Sequence, residues 1–365
     1  MYSQGYVVRN AINLMITTDP KGHGGVATVV STYAQCGFLE ANRVRLIVSH
    51  SSLDNGVKWR MLLRFAWAIL SLLYCLSRYR VGLVHIHMSS RGSYRRKALL
   101  VRLIKALGGK VILHLHGAEF PDFYRDESDE LQKQHIRQTF ALVDHVLVLS
   151  TQWLSWLQQV VGRTEGVSVF YNAVPSLELD RHQAKPGHIA FLGRLGARKG
   201  VADLIQAFAL VKQRCPEAEL SLAGDGQINI YQTLARQLGL AESVHCLGWI
   251  AGKAKQDLLT QTDIYCLPSY NEGFPMGVIE AMSAEIPVVA SYAGGIPDAI
   301  TNGEQGRLVE AGDVTGLAQA LGDLIEQRAE NQRLAKAGKQ KFLNHFSLQA
   351  VMPRLQSLYD ELLQP

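Results

Sequence analysis

Two glutamates, Glu272 and Glu280, stand eight positions apart in the run Asn271-Glu272-Gly273-Phe274-Pro275-Met276-Gly277-Val278-Ile279-Glu280. Glu272 follows an apolar run, Asp263 to Pro268, and Glu280 falls in a predicted helix, Met276 to Ala284. A loop formed by Gly273, Phe274, Pro275, Met276 and Gly277 at a helix start offers unpaired backbone N–H groups and the positive end of the dipole, which suits a phosphate. Glu280, two turns along, could accept from the paired hydroxyls of a ribose while the loop holds a diphosphate. About seventy residues upstream, Phe191-Leu192-Gly193-Arg194-Leu195-Gly196-Ala197-Arg198-Lys199-Gly200 ends an apolar strand and places Arg194 and Lys199 just beyond it. Cations at the carboxyl end of a strand in an open α/β sheet point into the crevice where ligands bind. Singly, these residues read as a helix cap, a solvent-facing acid and surface charges; the combination reads as a phosphate-and-ribose site.

The elements that would position them alternate between strand and helix. At 365 residues the chain suits two domains, and its apolar fraction of 47% with 19% charged residues is globular. Predicted strands cover Ile12–Thr17, Val44–Ser49, Gly82–His87, a run from Val111 with His116 and Gly117 at its carboxyl end that passes into a loop by Phe120, His145–Leu149 and Val167–Val174, then His188–Gly193, Glu219–Ala223, Val244–Leu247 and Pro287–Ala290. Leu177 to Gly187, polar and flanked by Pro175 and Pro186, reads as an interdomain linker. The expected division is therefore 1–176, a linker over 177–187, 188–346, and a last helix over 347–365. Five scattered cysteines without Cys-x-x-Cys spacing point to reduced thiols in a cytosolic protein, and no secretory leader is recognisable.

The Arg-x4-Lys and Glu-x7-Glu pairs together resemble the donor-side signature of the retaining, nucleotide-sugar-dependent glycosyltransferases of family 4, and the resemblance covers essentially the whole chain. It implies an α/β fold of two Rossmann-like domains facing across a cleft (the GT-B type), with the C-terminal helix crossing back to the first domain. It implies that Arg194, Lys199, Glu272 and His116 serve catalysis. The turn at Gly224 and the loop at Trp249 and Ile250 would approach ribose and base, and Gly24 and Gly25 would face the donor's diphosphate. The implied route is front-face: the leaving phosphate helps deprotonate the acceptor hydroxyl, Glu272 orients the donor sugar, and His116 meets its primary hydroxyl or the developing charge.

Metal ligands of the Asp-x-Asp kind are missing from the sequence, so a metal-independent enzyme without cofactor is expected. The string Gly22-x-Gly24-x-x-Ala27 after a strand looks like a dinucleotide fingerprint, but Val44–Ser49 ends without the acid that would hold a cofactor ribose. His116 is favoured over His114 for function, a core histidine being the usual reading for such alternate strand positions; His85 and His87 are weaker candidates near the acceptor.

Charge is lopsided. Residues 1–180 carry 20 Lys/Arg against 13 Asp/Glu, and residues 181–365 carry 17 against 19. Between Asn55 and Ala118 stand twelve cations and no acid. Arg91, Arg95, Arg96 and Lys97 in that stretch form an expected surface for an anionic leaflet or a lipid-linked diphosphate. No helix-turn-helix, RNA-binding or zinc-finger pattern accompanies the charge, so nucleic acid is not the expected partner. The segment Lys58–Arg80 is either a helix buried on the sheet or an interfacial helix edged by Trp59, Trp67, Tyr74 and Tyr79; its apolar centre of about fifteen residues is short for a membrane span.

The expected protein is thus a hexosyltransferase acting on a nucleoside-diphosphate sugar (GDP-mannose or a UDP-hexose). Its acceptor would be a polyprenyl-diphosphate-linked saccharide in bacterial exopolysaccharide or lipopolysaccharide synthesis. It would work in the cytoplasm, peripherally at the inner face of the membrane. The rivals are a sugar-nucleotide epimerase of the same fold and a nicotinamide-dependent oxidoreductase.

Overall fold

The computed structural model describes residues 11–22, 24–51 and 57–364. His23 of the glycine-rich string, and Asn55 and Gly56 at the start of the acid-free stretch, lie outside the described residues.

Residues up to Tyr171 and from Met352 onward form one compact unit, and Asn172–Val351 form the other. In the first unit, β1 (Ala11–Thr18), β2 (Val44–His50), β3 (Arg80–Met88), β4 (Val111–Leu115), β5 (His145–Val148) and β6 (Val167–Val169) make one sheet in the order β2-β1-β3-β4-β5-β6. In the second, β7 (His188–Leu192), β8 (Glu219–Ala223), β9 (Val244–Gly248), β10 (Ile264–Leu267), β11 (Val288–Ser291) and β12 (Gly306–Val309) take the order β12-β11-β10-β7-β8-β9. Every strand pairing in both sheets is parallel. Parallel strands need helical crossovers, which cover both faces, and so the central strands read as continuous apolar runs such as Val-Ile-Leu at 111–113. Each order turns back once, between β1 and β3 and between β7 and β10, and such reversals open a crevice at the strands' carboxyl ends. The sequence reading missed β12 and the helices Val314–Glu326 and Arg328–His345 that follow it.

Residues 177–187 are not a free linker. They belong to the second unit, where Leu177 N–H donates to Ser283 Oγ at 2.8 Å and Arg181 donates to the Leu259 and Thr262 carbonyls. The chain leaves the first unit at Tyr171, and Asn172 is already tied to the second by a 2.8 Å bond from Nδ2 to the Phe274 carbonyl. The last helix, Leu348–Leu363, rejoins the first unit from Met352. There Tyr359 stacks edge-on against Phe38, and Gln356 bonds Asn42.

The helix Lys58–Arg78 buries only Ala68, Leu72 and Cys75 against the first core. Trp59, Leu62, Leu63, Trp67, Leu70 and Tyr74 are each more than half exposed, 53% at the least. The helix continues through its flanks to 21 residues, long and apolar enough to cross a membrane, which corrects the expectation that it is too short. Its exposed face also removes the reading of a helix sunk in the core.

Candidate functional site

The second unit gathers the sequence-predicted pairs at its topological reversal. Beyond β7, Gly193 turns the chain, and the short turn Ala197–Lys199 leads through Gly200 into the helix Val201–Arg214. Gly200 has φ +66°, and a Cβ there would lie 2.1 Å from the Pro268 carbonyl oxygen. Only glycine therefore lets this loop press against the end of β10, which is what brings Lys199 to Glu272. Lys199 Nζ meets Glu272 Oε1 at 2.5 Å, and Ser269 Oγ donates to the same oxygen at 2.6 Å. Glu272 is 5% exposed. Gly294, behind it, has φ +54° and so little room that a Cβ would overlap the Glu272 carbonyl. Arg194 is exposed, and no hydrogen bond or ion pair engages it among the described residues.

The helix Met276–Ser283 follows Pro275 without a side-chain cap, leaving its first-turn N–H groups without a side-chain acceptor. Phe274 is buried against Phe346 and sets the loop's base. Glu280 is not solvent-facing: it is 9% exposed and accepts from Lys255 Nζ at 2.6 Å. Lys255, in the helix Gly252–Gln261, was not singled out in the sequence, because nothing local marks a lysine 25 residues upstream as a partner. Tyr265 was also missed. Its hydroxyl donates to the Leu192 carbonyl at 3.3 Å and supports the glycine-bearing first turn, where a Cβ on Gly277 would lie 2.1 Å away. Burial, with Glu280 and Glu272 nearby, holds that phenol well above its usual range. Gly224 packs on the Gly193 carbonyl, Trp249 is 47% exposed beyond β9, and Ile250 packs against Ala190 and Ala223.

In the first unit the histidines of β3 and β4 stack into a ladder. His85 Nδ1 faces Tyr359 Oη at 3.0 Å, His85 Nε2 faces His114 Nδ1 at 3.3 Å, and His87 Nδ1 faces His116 Nε2 at 2.8 Å. Burial pushes all four down, His85 and His116 to about 3, so they are neutral at neutral pH. His85, His87 and His114 bring ring nitrogens within 4.8 Å of one another. Ring nitrogens of all three are already engaged in the ladder, however, His85 Nε2 with His114 Nδ1 and His87 Nδ1 with His116 Nε2. His114 is a core histidine; His116 is partly exposed at the strand end.

The four cations expected on one surface do not share one. Arg91 is held by Glu119 and Glu127, acids beyond the acid-free stretch, through salt bridges. Arg95 is exposed, Arg96 is half-buried, and Lys97 is 3% exposed with Nζ donating to Ser93 Oγ at 3.2 Å. On a helix these neighbours point about 100° apart, so one cannot present all three to the same surface.

Two parallel-sheet Rossmann-like units make up the architecture of the GT-B class of glycosyltransferases. A model of Glycosyltransferase Family 4 matches residues 23–176 and one of Glycosyl transferases group 1 matches 179–341, and the chain belongs to the two-domain glycosyltransferases that join them. It is similar to the amylovoran biosynthesis glycosyltransferase AmsK of Erwinia amylovora, 27% identical over 288 residues that cover 76% of this chain and 69% of that one. It is also similar to a glycogen synthase of Mycobacterium tuberculosis, 31% identical over 180 residues, 49% of this chain and 44% of the relative. The match spans less than half the length of the glycogen synthase and about two thirds of AmsK. Among solved structures, sucrose-phosphate synthase from Thermosynechococcus elongatus superposes with a TM-score of 0.81 at 20% identity, over 97% of this chain and 99% of that one. Anabaena HepE in complex with UDP-glucose gives 0.75 at 18%, over 96% and 99%. At these identities the likeness is one of fold.

Proposed function

We propose that the chain transfers a hexose from a nucleoside-diphosphate sugar to an acceptor hydroxyl with the anomeric configuration retained. The observation that carries this is the pairing of two buried glutamates with two lysines, Glu272 with Lys199 and Glu280 with Lys255, around an uncapped helix start at the reversal of the second sheet. The departing nucleoside diphosphate gains negative charge, and preorganised cations and N–H dipoles lower that barrier. Lys199, already oriented by Glu272, and Arg194 supply charge; the Gly273–Gly277 loop supplies dipoles. Glu272 orients the donor sugar and Glu280 accepts from the ribose, with Lys255 fixing its carboxylate. The UDP-glucose complex of HepE, a fold neighbour, supports a nucleotide-sugar donor. AmsK, a relative named for amylovoran biosynthesis, supports a surface polysaccharide as the product.

The acceptor is a lipid-linked saccharide, reached from the membrane surface. Support comes from the exposed apolar face of Lys58–Arg78, flanked by Lys58, Arg60 and Arg64. Such a face with cations on the polar side favours an anionic leaflet. The protein accordingly works peripherally at the cytoplasmic membrane. A screen of radiolabelled GDP- and UDP-sugars with purified protein and a lipid-linked acceptor tests the reaction. Labelled sugar should move to the lipid fraction from one donor class. Recovery of only an epimerised sugar nucleotide, or no reaction without a nicotinamide, would overturn the reading.

A further inference from the structure

His85 and His87 hold alternate positions of β3, and His114 and His116 hold alternate positions at the end of β4, with His87 opposite His114 in the parallel register. His116 stands just beyond β4, where its backbone N–H donates to the Met88 carbonyl at 2.8 Å. The next residue is Gly117, where a Cβ would lie 2.6 Å from Ser89 Oγ and 2.9 Å from Ser90 N. The missing side chain lets the end of β4 close against the end of β3, and that closure brings His116 to His87. His87 Nδ1 and His116 Nε2 are 2.8 Å apart, while the ring centroids are 4.9 Å apart at 22°. The rings therefore meet edge to edge, and the proton between them lies along a lone pair.

One ring must supply that proton, and the choice fixes both tautomers, because a neutral imidazole carries a single N–H. If His116 donated from Nε2, His87 would hold its own proton on Nε2. That atom is buried without a hydrogen-bond partner among the described residues, and His87 is 2% exposed. The ionisable groups that act on His87 are His85, His116 and Lys97, none of them an acid that could accept. A buried N–H with no acceptor loses its hydration without return, and native structures rarely leave one. The Lys97 cation also opposes a proton on that nitrogen and favours a lone pair. With the shared proton on His87 Nδ1, His116 carries its own on Nδ1. No hydrogen bond engages that atom among the described residues, and the His116 ring is partly exposed.

We propose that His87 is a positioning residue: it donates from Nδ1 to His116 Nε2 and so fixes His116 as the Nδ1–H tautomer, a hydrogen-bond donor for the oxygen that gains negative charge during transfer. The inference deepens the glycosyltransferase reading and rests on it only for the identity of that oxygen. His87 is buried and acts through His116. Burial keeps both rings neutral at neutral pH, so His116 lends an N–H dipole and no net charge. A donor aimed in advance at a developing charge needs no reorganisation when the charge forms. The opposite tautomer would turn a lone pair toward it.

Long-range nitrogen–proton NMR of the full chain, labelled with 15N-histidine, reads the tautomers, and His116→Asn assigns the His116 signals. At neutral pH the wild type should carry the proton on Nδ1 in both His87 and His116. His87→Phe removes the donor and should shift His116 toward the Nε2–H form. On the donor identified by the screen, kcat of His87→Phe should fall by about 10- to 100-fold with KM within about threefold, the pattern of an interaction made only in the transition state. His87→Asn puts an amide N–H close to the Nδ1 position and should restore most of the lost kcat together with the tautomer, which a purely packing role would not. If His87→Phe fails to fold, the wild-type tautomer decides by itself. His116 protonated on Nε2 in the wild type, or a folded His87→Phe with wild-type kcat and tautomer, overturns the proposal. The NMR result needs no turnover, so failure of the glycosyltransferase reading would be seen separately in the donor screen.

Discussion

Replacing Gly277 by alanine adds one methyl group at the point where the candidate phosphate loop becomes a helix. That methyl would lie 2.1 Å from Tyr265 Oη and 3.0 Å from its Cζ, against 3.5 Å to the Leu192 carbonyl. Tyr265 is 0% exposed, between β7 and β11, and its ring has nowhere to retreat. Overpacking of a rigid site costs about 1–3 kcal/mol, against which alanine's better helix propensity returns at most about 1 kcal/mol. A net loss of about 1–2 kcal/mol lowers the unfolding midpoint of a domain this size by about 2–8 °C. Tyr265→Phe alone removes the hydroxyl bond to Leu192 and costs about 1 kcal/mol. In the double variant the hydroxyl that meets the methyl is gone, so the losses should not add, and the double should be at least as stable as Gly277→Ala alone. Calorimetric melting of the four proteins, followed by titration with the identified nucleotide, measures both consequences. Nucleotide affinity should fall in Gly277→Ala, because the first turn must move, and recover in part in the double variant. Additive midpoint losses, or a Gly277→Ala protein as stable as wild type, would show that the hydroxyl does not buttress this turn.

Lys199→Ala or Arg194→Ala should lower kcat on the identified donor by about 100-fold or more with unchanged circular dichroism; near wild-type turnover would remove both from the phosphate assignment. Activity in excess EDTA should stay within about twofold, since charge neutralisation is assigned to side chains, whereas abolition with rescue by Mn²⁺ would refute this. His85 and His116 titrate near 3 when folded and near 6.5 when unfolded, so the unfolded chain binds more protons between those values. Stability should therefore be full above about pH 6.5 and fall steadily toward pH 3; a melting temperature of the first unit that is flat from pH 7 to 4.5 would contradict the buried ladder. Trp59, Leu63 and Trp67 changed together to Ser should abolish binding to anionic vesicles at low salt, and wild-type binding should weaken as salt rises. Equal indifference of wild type to anionic and neutral vesicles would leave that helix face without a membrane role.

The local pattern of the sequence was enough to place most strands and the helices beside the site. Parallel strands buried on both faces announce themselves as apolar runs, and β8 spans the predicted Glu219–Ala223. The spacing also singled out Glu272, Glu280, Arg194 and Lys199, because chemistry at strand ends and helix starts is local in the chain. What pairs with what was decided by tertiary structure. Lys255 reaches Glu280 across 25 residues, and Arg91 finds Glu119 and Glu127 across a strand, so an acid-free stretch is not an unneutralised one. Lys97, read as a surface cation among arginines, is buried because its position on the helix Gly92–Ala106 turns it inward while Arg95 faces out. Composition left the helix Lys58–Arg78 equally compatible with core and surface. It packs on edge strand β2 and buries only Ala68, Leu72 and Cys75 in the core, so its other face, with Trp59 and Trp67, is left exposed.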